Sequence, residues 1–133
     1  MTAERALVPG RARGEALVLE APLSLWGGVD PDTGVIVDPT HPQQGESLSG
    51  RIVALPMGRG SSSSSSVLAE LLRTGKGPAG LVLAEPDSIL VVGSLVARYL
   101  YGTDCPVLVA RFPGRSGEWW QIWGERLMPA DGG

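Results

Sequence analysis

An arginine between two glycines followed by six consecutive serines, Gly58-Arg59-Gly60 and then Ser61 through Ser66, constrains this chain more than any other stretch. It stands between an apolar segment with strand character, residues 51–56, and a segment with helical spacing, residues 67–73. Glycine lets the backbone turn sharply at little steric cost. A helix that starts directly behind such a turn aims backbone N–H groups at whatever lies in front of it. Strand, glycine turn, hydroxyl and helix is therefore the order of an anion-binding or catalytic turn. The same residues also suit a flexible linker or a plain helix cap. A linker joins parts that each fold alone, and about 60 residues on either side are close to the lower limit for an independent core. The serines are accordingly placed inside one domain.

The length of 133 residues fits a single compact core. A net charge of −3 and a pI of about 5.1 leave no basic footprint, so nucleic acid is not an expected partner. No apolar run approaches the roughly 20 residues that cross a bilayer, and residues 1–10 lack the apolar centre of a signal peptide. The expectation is a cytoplasmic protein with no membrane attachment. Cys105 is the single cysteine and His41 the single histidine. Cys105, just ahead of Pro106 and an apolar run, reads as a structural thiol. Without a Cys/His cluster, no metal or iron–sulfur site is expected from this chain alone, and any metal in use must be held by another chain.

Residues 1–13 carry Arg5, Arg11 and Arg13 without a clear period, which predicts a loosely ordered N-terminus ahead of a domain over 14–128 and a flexible end over 129–133. Strands are predicted over 16–21, 35–37, 48–56, 79–84 and 105–110 from their apolar, β-branched composition and flanking turn residues. Val67, Leu68, Leu71 and Leu72 fall on one helix face, and Gly75, Gly77 and Pro78 stop that helix. A second helix is predicted over 89–101, between the turn Glu85-Pro86-Asp87-Ser88 and Gly102. The fold class is thus α/β, with a β-rich first half packed on a small parallel βαβ layer. Trp119, Trp120 and Trp123 either close the sheet or form a contact surface. Trp26, Asp30 and His41 read either as a binding set or as a core residue, a turn cap and a loop residue. The sequence leaves that choice open.

The motifs also carry a resemblance. Pro22-Leu23-Ser24-Leu25-Trp26-Gly27-Gly28-Val29-Asp30-Pro31-Asp32-Thr33-Gly34, then Asp38 with His41-Pro42 and Gly45, then Gly58-Arg59-Gly60-Ser61, occur in an order that resembles the small subunit, or swivelling domain, of the aconitase X family. The helix behind the serines and the turn Ala84-Glu85-Pro86-Asp87 fit as well, so the similarity spans residues 14–110. It implies a swivelling β/β/α domain of a two-part dehydratase. A large aconitase X-type subunit would hold an iron or iron–sulfur centre and most ligands of a small carboxylate substrate, while this chain holds no cofactor itself.

By the same resemblance Ser61 is the proton-abstracting residue. The chemistry of the turn then assigns Gly58 and Gly60 to its shape, Arg59 to orienting the substrate or the partner chain, Gly60, Ser62 and Ser63 to the substrate cradle, and Asp30 and His41 to a candidate supporting shell. One departure stands out: where aconitase proper has an arginine two places after its serine, this chain has Ser63, which argues against a tricarboxylate substrate. Two activities known in the family remain, dehydration of cis-3-hydroxy-L-proline and dehydration of phosphomevalonate. The arginine- and glycine-rich, lysine-poor composition favours the first. A non-catalytic anion-binding or regulatory module is the reading from another class.

Overall fold

The computed structural model describes residues 5–56 and 62–132. Met57, Gly58, Arg59, Gly60 and Ser61 lie outside the described residues. Seven strands form one curled sheet: β1 (Arg5–Val8), β2 (Gly10–Val18), β3 (Ile52–Leu55), β4 (Gly80–Leu83), β5 (Val107–Val109), β6 (Trp119–Gly124) and β7 (Arg126–Pro129), in the order β1-β5-β4-β3-β2-β6-β7. The central four are parallel, with Ala16 opposite Ile52, Ile52 opposite Gly80 and Leu81 opposite Val107. Antiparallel neighbours close both edges, β1 against β5 and the β6–β7 hairpin against β2.

The parallel layer follows from composition. β3 (IVAL) and β4 (GLVL) are buried along their whole length, as continuous apolar runs must be when both faces of a sheet are covered. Alternate side chains then feed two cores. Leu17, Val53, Leu55, Leu81 and Leu83 pack with Leu68 and Leu71 of helix α2 (Ser64–Arg73) and Leu90 of helix α3 (Ser88–Tyr101). On the opposite face Ala16, Ile52, Ala54, Val82 and Leu108 pack with Trp120 and Ile122 of the hairpin strand β6. The crossovers β3-α2-β4 and β4-α3-β5 step along the sheet in the same direction, so the right-handed rule puts both helices on one face. Hairpin layer, parallel layer and helix layer together give the β/β/α arrangement expected of a swivelling domain.

β2 joins the two β layers. Its residues 10–15 pair with β6, and residues 16–18 pair with β3. Gly80 lies under this curl: a Cβ there would stand 2.9 Å from Ile122 Cδ1 and 3.2 Å from Ala12 Cβ, inside normal packing distance. The helix ends are set locally. Asp87 caps α3 by accepting from the amides of Ile89 (2.9 Å) and Leu90 (3.3 Å), and Gly102, at φ 66°, ends it.

Four local expectations change. Residues 5–13 are not loose but belong to β1 and β2, because outward arginines alternate with inward small residues and are covered by aromatic rings. Arg11 lies 3.7 Å from the centroid of the Trp123 ring and Arg13 lies 4.8 Å from that of Trp119. The end of the chain is held too, since Pro129 closes β7, the Ala130 amide donates to the Trp119 carbonyl and Arg13 donates to the Asp131 carbonyl. Val35 and Ile36 form only isolated bridges, to Ser47 and Val29, in place of a strand. The first half also holds one helical turn, α1 (Leu25–Gly28), broken by non-helical angles at Trp26 and Gly27. The tryptophan stretch closes the sheet through β6, with Trp120 buried and tilted against Phe112 at 4.9 Å.

Candidate functional site

Parallel strands bring their carboxyl ends to one edge, and in open α/β sheets ligands bind outside that edge. Here the ends of β2, β3, β4 and β5 surround a recess of about 170 Å³ whose walls include Val18, Leu55, Pro56, Val82, Ala84 and Phe112. Arg111, the second residue after β5, lines the same recess. The described chain leaves β3 through Pro56 and resumes at Ser62. Thus Arg59, Gly60 and Ser61 lie outside the described residues, while both their point of departure and their point of return are described.

Ser62 and Ser63 are exposed ahead of α2. The Ser62 carbonyl accepts from the Ser65 amide (3.3 Å) and the Ser65 hydroxyl (2.8 Å), and the Ser63 carbonyl accepts from the Val67 amide (3.2 Å). These bonds tighten the first turn. Ser63 occupies the cap position with φ −66° and ψ −16° and makes no side-chain cap, and no acidic residue stands in the first turn of α2. The partial positive charge at this helix end is therefore not offset by the helix's own side chains. Ser64 differs from its neighbours: it is buried, and its hydroxyl accepts from the Trp26 amide at 3.2 Å. That bond sets α1 against the start of α2, and leaves the Trp26 side chain 59% exposed.

Asp30 and His41 serve their own loops. The Asp30 carboxylate accepts from the Asp32 amide (2.8 Å), and its carbonyl accepts from the amides of Thr33 and Gly34. His41 is 5% exposed; its Nδ1 accepts from the Gln43 amide at 3.0 Å, which leaves Nε2–H to donate to the Ala21 carbonyl at 3.1 Å. Gln43 continues the latch, accepting from the Glu20 amide (2.9 Å) and donating to the Val18 carbonyl (2.8 Å). Among the described residues no hydrogen bond joins Trp26, Asp30 and His41 to one another. They brace the loop that borders the serine helix.

Sequence reasoning passed over Arg111 and Phe112. Arg111 follows the largely buried strand β5, but no motif in the sequence marks it. Arg111 makes no hydrogen bond or ion pair among the described residues, whereas Arg51, Arg73 and Arg98 are each matched to a carboxylate. Cys105 is fully buried, and loss of solvent pushes its thiol up to about 12. It is packing, not a nucleophile. Among the described residues no group of three or more His, Cys, Asp or Glu side chains is arranged to hold a metal, and no helix is long and apolar enough to cross a membrane.

The family model of the aconitase X swivel domain matches residues 1–117. The chain is 48% identical over 103 residues to the cis-3-hydroxy-L-proline dehydratase of Pseudomonas aeruginosa, a match that covers 77% of this chain and 18% of that protein. It is 44% identical over 93 residues to the phosphomevalonate dehydratase small subunit of Pyrococcus furiosus, covering 70% of this chain and 69% of that subunit. In three dimensions it aligns with the crystal structure of Thermococcus kodakaraensis aconitase X (holo-form) with a TM-score of 0.86 at 27% identity, over 98% of both chains. The chain therefore spans under one fifth of the bacterial dehydratase and about two thirds of the archaeal small subunit.

Proposed function

This chain belongs to the aconitase X swivel-domain family, and from that premise we propose that it is the small, swivelling subunit of a two-chain hydro-lyase acting on cis-3-hydroxy-L-proline. The observation that carries the reading is the 48% identity over 103 residues with a dehydratase of that substrate. The match covers 18% of that relative, and the likeness to a protein named as a dehydratase small subunit is what supports a two-chain assembly with a large partner. Dehydration of phosphomevalonate is the second reading, favoured by the small-subunit relative at 44% identity.

Elimination of water from a β-hydroxy acid needs a base for the proton next to the carboxylate and help for the departing hydroxyl. An iron or iron–sulfur centre held by the large subunit would act as the Lewis acid on that hydroxyl. The base falls to this chain, at Ser61. A serine hydroxyl is a poor base unless its alkoxide is stabilised, and three features supply that here. The start of α2 carries no acidic residue or side-chain cap to offset its partial positive charge. Arg59 lies in the same turn, and closure against the large subunit excludes water. Gly60, lacking a side chain, would allow close approach to the substrate, and Ser62 and Ser63 are exposed ahead of α2.

The test is to co-express the chain with its large aconitase X-type partner, load the complex anaerobically with iron and assay both substrates. Turnover of cis-3-hydroxy-L-proline that disappears in Ser61→Ala, with assembly intact, is the expected result. Near-normal turnover in Ser61→Ala would remove the serine from the mechanism. A stable lone chain that joins no such partner would leave the anion-binding or regulatory module as the function.

A further inference from the structure

The recess at the strand ends is walled mainly by apolar residues, and Arg111 is its one cationic wall residue among the described residues. The guanidinium has no carboxylate of its own among the described residues. It stands just past the end of β5, two strands from Pro56, which lines the same recess. Arginine presents a planar fork of donors that matches a carboxylate, and low-polarity walls strengthen such a pair relative to water. A cavity of about 150 Å³ is enough to accept a benzene-sized molecule, so about 170 Å³ accommodates a five-membered ring.

We infer that Arg111 binds the carboxylate of the substrate, and that the apolar recess beside it takes the substrate's hydrocarbon part. This rests on the dehydratase reading above and adds to it a substrate-binding residue on this chain. Arg111 takes no part in the proton transfer.

Kinetics of the iron-loaded complex of this chain with its large subunit test the inference, using wild type, Arg111→Lys and Arg111→Gln. Loss of a charge-assisted pair should raise KM about tenfold to a hundredfold in Arg111→Gln with kcat changed far less, and Arg111→Lys should recover part of the loss. A second measurement uses binding alone: wild-type complex should prefer L-proline to L-prolinamide as a competing ligand, and Arg111→Gln should lose that preference. An active wild-type complex whose Arg111→Gln variant keeps both its KM and its preference for the carboxylate overturns the inference and leaves the dehydratase reading standing. A wild-type complex inactive on both candidate substrates overturns the dehydratase reading and the inference with it. Arg111 is exposed and makes no hydrogen bond or ion pair among the described residues, so its replacement should leave assembly unchanged, which co-purification checks directly.

Discussion

The buried hydroxyl of Ser64 accepts the amide hydrogen of Trp26 at 3.2 Å, and so fixes the start of α2 to the loop that runs from Trp26 to Gly28. Within a run of equal residues this one is structural. Ser64→Ala would leave a part-buried N–H without its acceptor, at a cost of about 1–2 kcal/mol. Ser62→Ala removes only an exposed hydroxyl and should stay within about 0.5 kcal/mol of the parent. Urea unfolding of the two variants separates them, and equal stabilities would show that the serines are interchangeable.

His41 makes a similar distinction between support and chemistry. Both ring nitrogens are used, one by the Gln43 amide and the other by the Ala21 carbonyl. His41→Ala leaves a donor and an acceptor unsatisfied in a nearly closed site and should lower stability by about 2–4 kcal/mol. The loss should appear as a lower melting temperature. Turnover per folded complex should remain within about threefold at a temperature where the variant is folded. A fully stable variant with abolished turnover would instead make His41 a reacting group.

Gly93 sets how closely the two helices approach. A Cβ there would lie 2.8 Å from the Ser65 carbonyl oxygen and 3.1 Å from Leu68 Cβ, so α3 must retreat from α2 in Gly93→Ala. The gain in helix propensity, about 1 kcal/mol, opposes an overpacking cost of about 1–3 kcal/mol. Net destabilisation is expected in chemical unfolding. Because Ser65 belongs to the first turn of α2, turnover of the complex should fall as well; a variant as stable and active as the parent would show that the helix pair yields freely.

These residues also show what the sequence could reveal. The limits of α2 and α3 were legible because caps and apolar spacing are local: Asp87 and Gly102 bracket α3, and Leu68, Leu71 and Leu72 mark the buried face of α2. β1 and the first part of β2 were not, because their arginines gain sense only from partners about a hundred positions away, as when the ring of Trp123 covers Arg11. The helix behind the serines was legible from its apolar spacing, while Gly58, Arg59, Gly60 and Ser61 lie outside the described residues. The work of His41 was not, since it depends on which backbone groups meet the two ring nitrogens. Arg111 was missed because a single arginine after a strand carries no motif, and only the convergence of strand ends gives it a place.

The buried thiol of Cys105 predicts how stability changes at high pH. Its ordinary value of 9.0 applies to the unfolded chain, while desolvation raises the folded value to about 12. The folded state thus holds the proton more tightly, and the stability due to this difference is fully present below pH 9.0, then declines as pH rises toward about 12. Urea midpoints measured from pH 8 upward should therefore fall in the parent more steeply than in Cys105→Ala, whose absolute stability is lower because of the small void left behind. Reaction with a thiol reagent supplies an independent check. Native protein at pH 8 should be modified only as fast as it opens, and rapid stoichiometric labelling under native conditions would show the thiol to be accessible, contrary to its complete burial.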